Sequence, residues 1–370
     1  MNNTMRAARL HAIGDPFQID HIPIPIPAGA DVLVRVRSCG VVPNLRNVVT
    51  HFPTWFPGLP LPRLPAIFGL DAAGEIAALG PDAHGLKVGQ RVYVNPLRFC
   101  GTCHKCRAGK RMACRGLILG GYFGATPDSQ ATFDRYPWGG LAEYMIAPGS
   151  ELVELPDNVS FETASRFGYL GTAYAAMVRA GCGPDTSVAI YGASGTVGVG
   201  AILTCLALGV PKILAIARNE KILAELRELA PGRIVSFSTT NGSAAEWVRS
   251  QTRGDGADVV LEALSPECPG EALIDLFGCV TRSGTIVSVG GIMAKVPFDP
   301  QWLMQNGIHY FGSSWFSTAE AQSMADVVGT GALNLTTLEN RCFPLDQVNE
   351  AVDFACERKV GGMCNVVVMP

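Results

Sequence analysis

The chain reads as an α/β protein in which a doubly wound parallel sheet follows a domain of short β-strands. Three observations predict this. Residues 188–218 run as strand, glycine-rich turn, helix and second strand. Residues 162–289 alternate buried-strand runs (VAIYG, KILAIA, RIVSF, DVVLEA and TIVSVG) with helical stretches, which calls for a parallel sheet covered on both faces. Residues 6–153 instead show brief apolar runs such as DVLVRVR, AAGEIAAL, QRVYVNP and LAEYMIAP, broken by Gly and Pro as short strands and turns are.

Length and composition agree with this division. The chain has 370 residues, enough for two domains with a large buried core. Apolar residues make up 48%, with 42 glycines and 25 prolines, as in a turn-rich globule rather than a disordered chain. A net charge of −3 gives no reason to expect nucleic acid or an acidic membrane as a partner. The N-terminal MNNTMRAARLHAIG lacks the apolar core of a signal peptide, and no run approaches the ~18 apolar residues of a membrane span. Four of the twelve cysteines are clustered and eight scattered, so the expected setting is a reducing cytoplasm.

Along the β-rich part, the proline-rich residues 51–65 (HFPTWFPGLPLPRLP) are expected to form an ordered loop, because proline removes backbone donors and restricts its neighbours. Phe52, Trp55 and Phe56 in it either cap the β-domain core or wall a substrate pocket. Cys100, Cys103, Cys106 and Cys114 then follow a C-x2-C-x2-C-x7-C spacing. Four thiolates so close in sequence can close a tetrahedral zinc shell with no vacant position, which assigns the ion a structural role clamping residues 98–116. An iron–sulfur cluster is the remote alternative, and His104 inside the loop is read as solvated.

In the parallel-sheet part, the turn Gly192-Ala193-Ser194-Gly195-Thr196-Val197-Gly198 sits between a strand and a helix, the context in which such a turn binds a dinucleotide. Its glycines admit the pyrophosphate, and the helix N-terminus supplies free N–H groups and positive potential. Ala193, Ser194, Gly195, Thr196, Val197 and Gly198 are therefore candidate cofactor residues. The second strand ends in Ala217-Arg218, with no acid before Glu220. A guanidinium there suits the 2′-phosphate of NADP(H), whereas an acid would select NAD(H). The alternative leaves Arg218 as solvated surface and either cofactor accepted. Val289 and Gly290, past the TIVSVG run, are expected near the nicotinamide end.

Several further stretches carry a resemblance. Gly69-Leu70-Asp71-Ala72-Ala73-Gly74 with Gly80, Val88-Gly89-Gln90-Arg91-Val92, Gly140-Leu141-Ala142-Glu143-Tyr144 and the four-cysteine loop together resemble the zinc-containing alcohol dehydrogenase branch of the medium-chain dehydrogenase/reductase (MDR) superfamily. The resemblance implies a GroES-like β domain (1–160 and 298–370) around a Rossmann domain (161–297), hydride transfer to or from a nicotinamide, and a homodimer or homotetramer.

It also exposes a departure. The family's catalytic zinc takes its first ligand from a C-G-V-C-G-T-D segment; here Cys39-Gly40-Val41-Val42-Pro43-Asn44-Leu45 puts Val42 at the ligand position. The family's GHE histidine is Leu70 and its glutamate Asp71, and the third ligand falls at Gly168 or Tyr169. The expectation is one structural zinc per chain and no catalytic zinc, with Cys39 a core residue unless the alignment slips. Hydride transfer would then rest on positioning and side-chain hydrogen bonds. Asn44 is the candidate oxyanion donor and Asp71 the candidate proton donor or base, while Arg46 and His51 could continue a proton path and Tyr169 ranks behind them. Against these stand a plain salt bridge for Asp71, and capping or surface charge for Asn44 and Arg46.

The leading functional expectation is an NADP(H)-dependent interconversion of a hydrophobic alcohol and its ketone or aldehyde. An NADPH-dependent enone or quinone (C=C) reductase is the second reading, and a cofactor-binding protein without turnover is the third.

Overall fold

Strands whose successive residues are all apolar have no solvent side, so they need cover on both faces. The strands Ser187–Tyr191, Lys212–Ala217 and Ala257–Glu262 are of this kind over residues 188–191, 213–217 and 259–261, and they form the centre of a six-stranded sheet. The computed structural model describes residues 3–356 and 361–370. The sheet order is Ile234–Ser238, Lys212–Ala217, Ser187–Tyr191, Ala257–Glu262, Val280–Ser288, His309–Gly312, and every pairing is parallel. This is the doubly wound arrangement, with its switch point between Ser187–Tyr191 and Ala257–Glu262. Val188 and Ile190 pack into one core and Ala189 and Tyr191 into another, so both faces are covered.

The sixth strand lies past the boundary at residue 297 expected from the sequence. His309–Gly312 is a half-exposed edge strand with no buried residue, so it carries none of the apolar signal that marks the other five.

The remaining β structure is mostly antiparallel. Its main sheet orders Leu152–Glu154, Arg91–Val94, Asp71–Leu79, Asp31–Gly40, Cys364–Met369 and Glu339–Pro344, with Tyr144–Pro148 also pairing with Asp31–Gly40. The last strand, Cys364–Met369, thus returns to the N-terminal domain, where Val367 and Val368 pair with Gly40 and Cys39. Cys39 is fully buried there as a core residue.

Residues 51–55 are not a loop. They end an α-helix, Leu45–Trp55, whose buried side is Leu45, Val48, Val49 and Phe52. Proline costs a helix its interior hydrogen bond, but Pro53 stands two residues from the end, where the chain is already leaving the helix. Phe52 is buried against Phe56 and Phe123, and Trp55 and Phe56 pack on the same core.

The helices Phe167–Arg179 and Thr196–Ala207 run side by side in one direction. Leu170 and Ala173 of the first meet Gly200 of the second, and Cys182, beyond the first helix, bonds Cys205 near the end of the second. Their N-termini therefore open at the same end of the sheet. Among the described residues, no helix is long and apolar enough to cross a membrane.

Candidate active site

The glycine turn closes as a dinucleotide cradle requires. Gly192 has φ +84° and its N–H joins that of Ala193 on the Ile216 carbonyl. A Cβ at Gly198 would lie 2.2 Å from the Gly192 carbonyl oxygen, so only glycine lets helix and strand approach this closely. Gly195 is the N-cap of Thr196–Ala207, and no side chain caps that helix. The first-turn N–H groups have no partner inside the helix, and Ser194, Gly195, Thr196 and Val197 are partly or fully exposed to an incoming phosphate. The predicted turn residues are thus brought together, and an uncapped helix end fits a pyrophosphate.

Arg218 is exposed at the end of Lys212–Ala217, and among the described residues no ion pair engages it. Val289 and Gly290 lie at the end of Val280–Ser288, but both their N–H groups are held by the Glu262 carbonyl at 2.9 and 3.0 Å. A Cβ on Gly290 would meet the Glu262 carboxylate at 2.0 Å, so this pair shapes the floor of the crevice.

Across the crevice, the segment that should carry a catalytic metal is apolar. Val42 and Leu70 are 3% and 6% exposed. Gly168 offers no ligand either: a Cβ there would stand 2.0 Å from Asp71 Oδ1, so the Asp71 carboxylate fills the space a third ligand's side chain would need. Asp71 is 1% exposed, and among the described residues no arginine pairs with it. Instead Tyr93 donates to its Oδ1 at 2.8 Å. Burial pushes the Asp71 acid up to about 7, against the lowering pull of the Tyr93 hydroxyl and the Gly168 backbone. At neutral pH this carboxyl is poised between its two forms.

Asn44 is the second centre. Both Tyr122 and Tyr169 donate to its Oδ1, Tyr169 at 3.4 Å. With the amide oxygen so occupied, the Nδ2 hydrogens are left to donate elsewhere. Burial is the main reason that Tyr122 and Tyr169 both hold their protons above the usual range, and the Asp71 charge adds to it. The two phenols bonded to the amide thus also sense the charge of the acid.

Two predicted residues do not join this cluster. Arg46 turns outward to an ion pair with Asp353, and His51 stacks on Trp55 with ring centroids 4.9 Å apart. Each is on the helix Leu45–Trp55, but on faces away from its buried side. Sequence reasoning missed Tyr93 and Tyr122, which stand 22 and 78 residues from their partners. The one signal available was a phenol inside an otherwise aliphatic strand run.

The cysteine loop forms the metal site its spacing predicts. The four Sγ atoms of Cys100, Cys103, Cys106 and Cys114 lie within 4.8 Å of one another. Measured edges of 3.5, 3.6, 4.0 and 4.0 Å match the ~3.8 Å edge of a tetrahedron with zinc–sulfur bonds of ~2.3 Å. Backbone N–H groups favour two of the thiolates, chiefly that of Cys106 for Cys103, held at about 6, and that of Cys103 for Cys100. All four positions of the shell are protein sulfur, so an ion here has no room for substrate.

Comparison with known proteins agrees with both halves of the architecture. Residues 28–157 match the alcohol dehydrogenase GroES-like domain, and residues 196–329 match the zinc-binding dehydrogenase family. The chain is 28% identical over 361 residues to an alcohol dehydrogenase of Geobacillus stearothermophilus, covering 97% of this chain and 98% of that one. It is 30% identical over 276 residues to L-idonate 5-dehydrogenase of Vitis vinifera, covering 73% and 70%. Among solved structures, an NAD-dependent alcohol dehydrogenase superposes with a TM-score of 0.81 at 24% identity, covering 99% of this chain and 100% of that one.

Proposed function

The chain belongs to the zinc-type alcohol dehydrogenases of the MDR superfamily and is an oxidoreductase, and from that premise we propose that it interconverts a hydrophobic alcohol and its ketone or aldehyde with NADP(H) and without catalytic zinc. One observation carries the proposal: the positions that should ligate a reactive metal are Val42, Leu70 and either Gly168, which faces the buried acid Asp71, or Tyr169, whose hydroxyl donates to Asn44. Valine, leucine and glycine side chains have no lone pair to offer a cation.

The cofactor, when bound, supplies or accepts the hydride; the turn Ala193–Gly198 and Arg218 would hold its phosphates. The chain's own residues manage the substrate oxygen. Asn44, its Oδ1 fixed by Tyr122 and Tyr169, donates through Nδ2 to the oxygen as negative charge develops on it. Asp71 in its acid form, bonded by Tyr93, is the proton source for reduction and as carboxylate the base for oxidation. The Phe123 ring packs at a tilt on both Phe52 and Tyr122, and Tyr122 bonds Asn44, with Val42 and Leu70 in the same core, which favours an apolar substrate.

The choice of NADP(H) over NAD(H) rests on Arg218 and the absence of an acid at that strand end. One zinc per chain, held by the four cysteines, follows from the donor chemistry of the two candidate sites. A cytoplasmic setting is supported by the twelve cysteines, all free of disulfides. A homo-oligomer is supported by the exposed Ile274, Phe298, Met304 and Tyr310 around the edge strand His309–Gly312.

Two measurements test the reading. A panel of alcohols, ketones and enones with NADPH and NADP⁺, followed by absorbance, should show turnover of the alcohol–ketone pair; turnover of enones alone would replace the reading with C=C reduction. Elemental analysis should find one zinc per chain, and a second zinc touching substrate would overturn the zinc-free mechanism.

A further inference from the structure

One buried group takes no part in the arrangement described so far. Arg166, the residue before the helix Phe167–Arg179, is 2% exposed, yet among the described residues none of its three guanidinium nitrogens has a hydrogen-bond partner. The comparison with Arg98 is instructive: that equally buried guanidinium donates to the Asn95 and Leu97 carbonyls at 2.6 and 2.9 Å. A guanidinium hidden from water with its donors open is costly, and folding retains such a group where something else completes it. Burial lowers its affinity for the proton to about 10, so it is still charged at neutral pH.

Its location identifies the missing partner. The helix that Arg166 begins lies beside Thr196–Ala207 with both N-termini at one end, so Arg166 stands at the end where the glycine turn opens. Among the described residues the ionisable groups facing it are Cys364 and Tyr169, and neither is a carboxylate. Cys364 belongs to a segment laid on the turn itself. The Gly362 N–H donates to the Ser194 carbonyl at 2.8 Å, and a Cβ on Gly362 would stand 2.3 Å from the Gly195 carbonyl oxygen. On the other side, Tyr169 reaches Asn44. Arg166 is thus bracketed by the phosphate cradle and by the amide that faces the substrate oxygen. The part of a nicotinamide dinucleotide that lies between its adenosine and its reacting ring is the pyrophosphate.

We propose that Arg166 is a second anchor for the cofactor's pyrophosphate, its planar fork completing from the far side the cradle begun by the N–H groups at Gly195–Gly198. The inference rests on the reading that this protein binds a nicotinamide dinucleotide. It makes Arg166 a cofactor-binding residue that is preorganised and unpaired in the free protein.

The test is titration of NADPH and NADH into wild type, R166M and R166K by protein-fluorescence quenching, with thermal unfolding of each protein free of cofactor. R166M should weaken both cofactors alike by about 10- to 100-fold, the scale of a lost charge-assisted hydrogen bond, with R166K between. Cofactor-free R166M should melt at or above the wild-type temperature, since an unpaired buried charge has gone. Inorganic pyrophosphate should compete with NADPH in wild type and raise its melting temperature, and should do less for R166K. Wild-type affinity in R166M, or a loss confined to NADPH, would overturn the assignment, the latter pointing to the 2′-phosphate. A rise in substrate KM with cofactor affinity unchanged would overturn it in favour of an acidic substrate. Should R166M not fold, failure of pyrophosphate to compete in wild type overturns it instead. Wild-type protein that binds neither cofactor overturns the functional reading, and this inference with it.

Discussion

Replacing Asp71 by Asn separates the chemical role of this residue from its cost to the fold. The substitution keeps shape and keeps an oxygen for the Tyr93 hydroxyl, which donates at 2.8 Å, but removes the titrating proton. Burial raises the acid from 3.8 to about 7, so the folded state holds an extra proton between about pH 4 and pH 7. Stability linked to that proton is fully present below pH 4 and is lost as the pH rises through 7. The difference between the two values corresponds to roughly 4 kcal/mol at pH 8, which D71N recovers as a rise in Tm of about 5 °C. In activity the direction reverses. Wild-type carbonyl reduction, measured by loss of NADPH absorbance, should fall as the pH rises past 7, because the acid form is the proton donor. In D71N, kcat/KM should drop by about 10²- to 10⁴-fold and the profile should lose that limb. The signature is a more stable, slower enzyme. A D71N protein with wild-type kcat/KM and an unchanged profile would refute the reasoning and leave Asp71 as a structural acid.

Three other substitutions probe the rest of the site. N44A removes the amide aimed at the substrate oxygen, and should lower kcat about 10²-fold with KM little changed, by steady-state kinetics. R218A should raise the Kd for NADPH by about 10- to 100-fold and leave that for NADH within about twofold, by fluorescence titration. C114S opens the sulfur shell: elemental analysis should show the zinc lost, and limited proteolysis should cut within residues 98–116. The fraction still folded should keep its kcat, because no substrate contacts that ion.

What the sequence made legible is what local physics encodes. Residues 188–218 announced strand, turn, helix and strand because buried parallel strands are unbroken apolar runs and the turn needs its glycines. The four cysteines were readable because their ligand atoms are drawn together by a short loop, whose spacing the ion sets. What escaped depends on distant encounters or on weak local signals. Tyr93 reaches Asp71 and Tyr122 reaches Asn44 only after separate strands and loops have assembled, and nothing near Asn44 forecasts a phenol 78 residues away. The edge strand His309–Gly312 lacks apolar character because one side of it has no strand partner. The helix Leu45–Trp55 was obscured by Pro53, a residue that forbids a helix interior but tolerates an end. Arg166 looked like an ordinary charge before a helix; only packing shows that it is buried with its donors unpaired.

The metal-ligand positions are more informative together than singly. A leucine at 70 or a valine at 42 alone would be compatible with a damaged metal site, since each merely removes a lone pair. Gly168 is different, because its missing side chain is occupied: Asp71 Oδ1 lies where a Cβ would be at 2.0 Å. A side chain cannot return to 168 without displacing that carboxylate, and the carboxylate cannot leave without losing Tyr93 and the Gly168 backbone. Packing at 168 therefore holds the acid in place. Restoring histidine at 70 and cysteine at 42 would add two ligands at positions that are 6% and 3% exposed, and under the proposed function the site works through a proton rather than a cation.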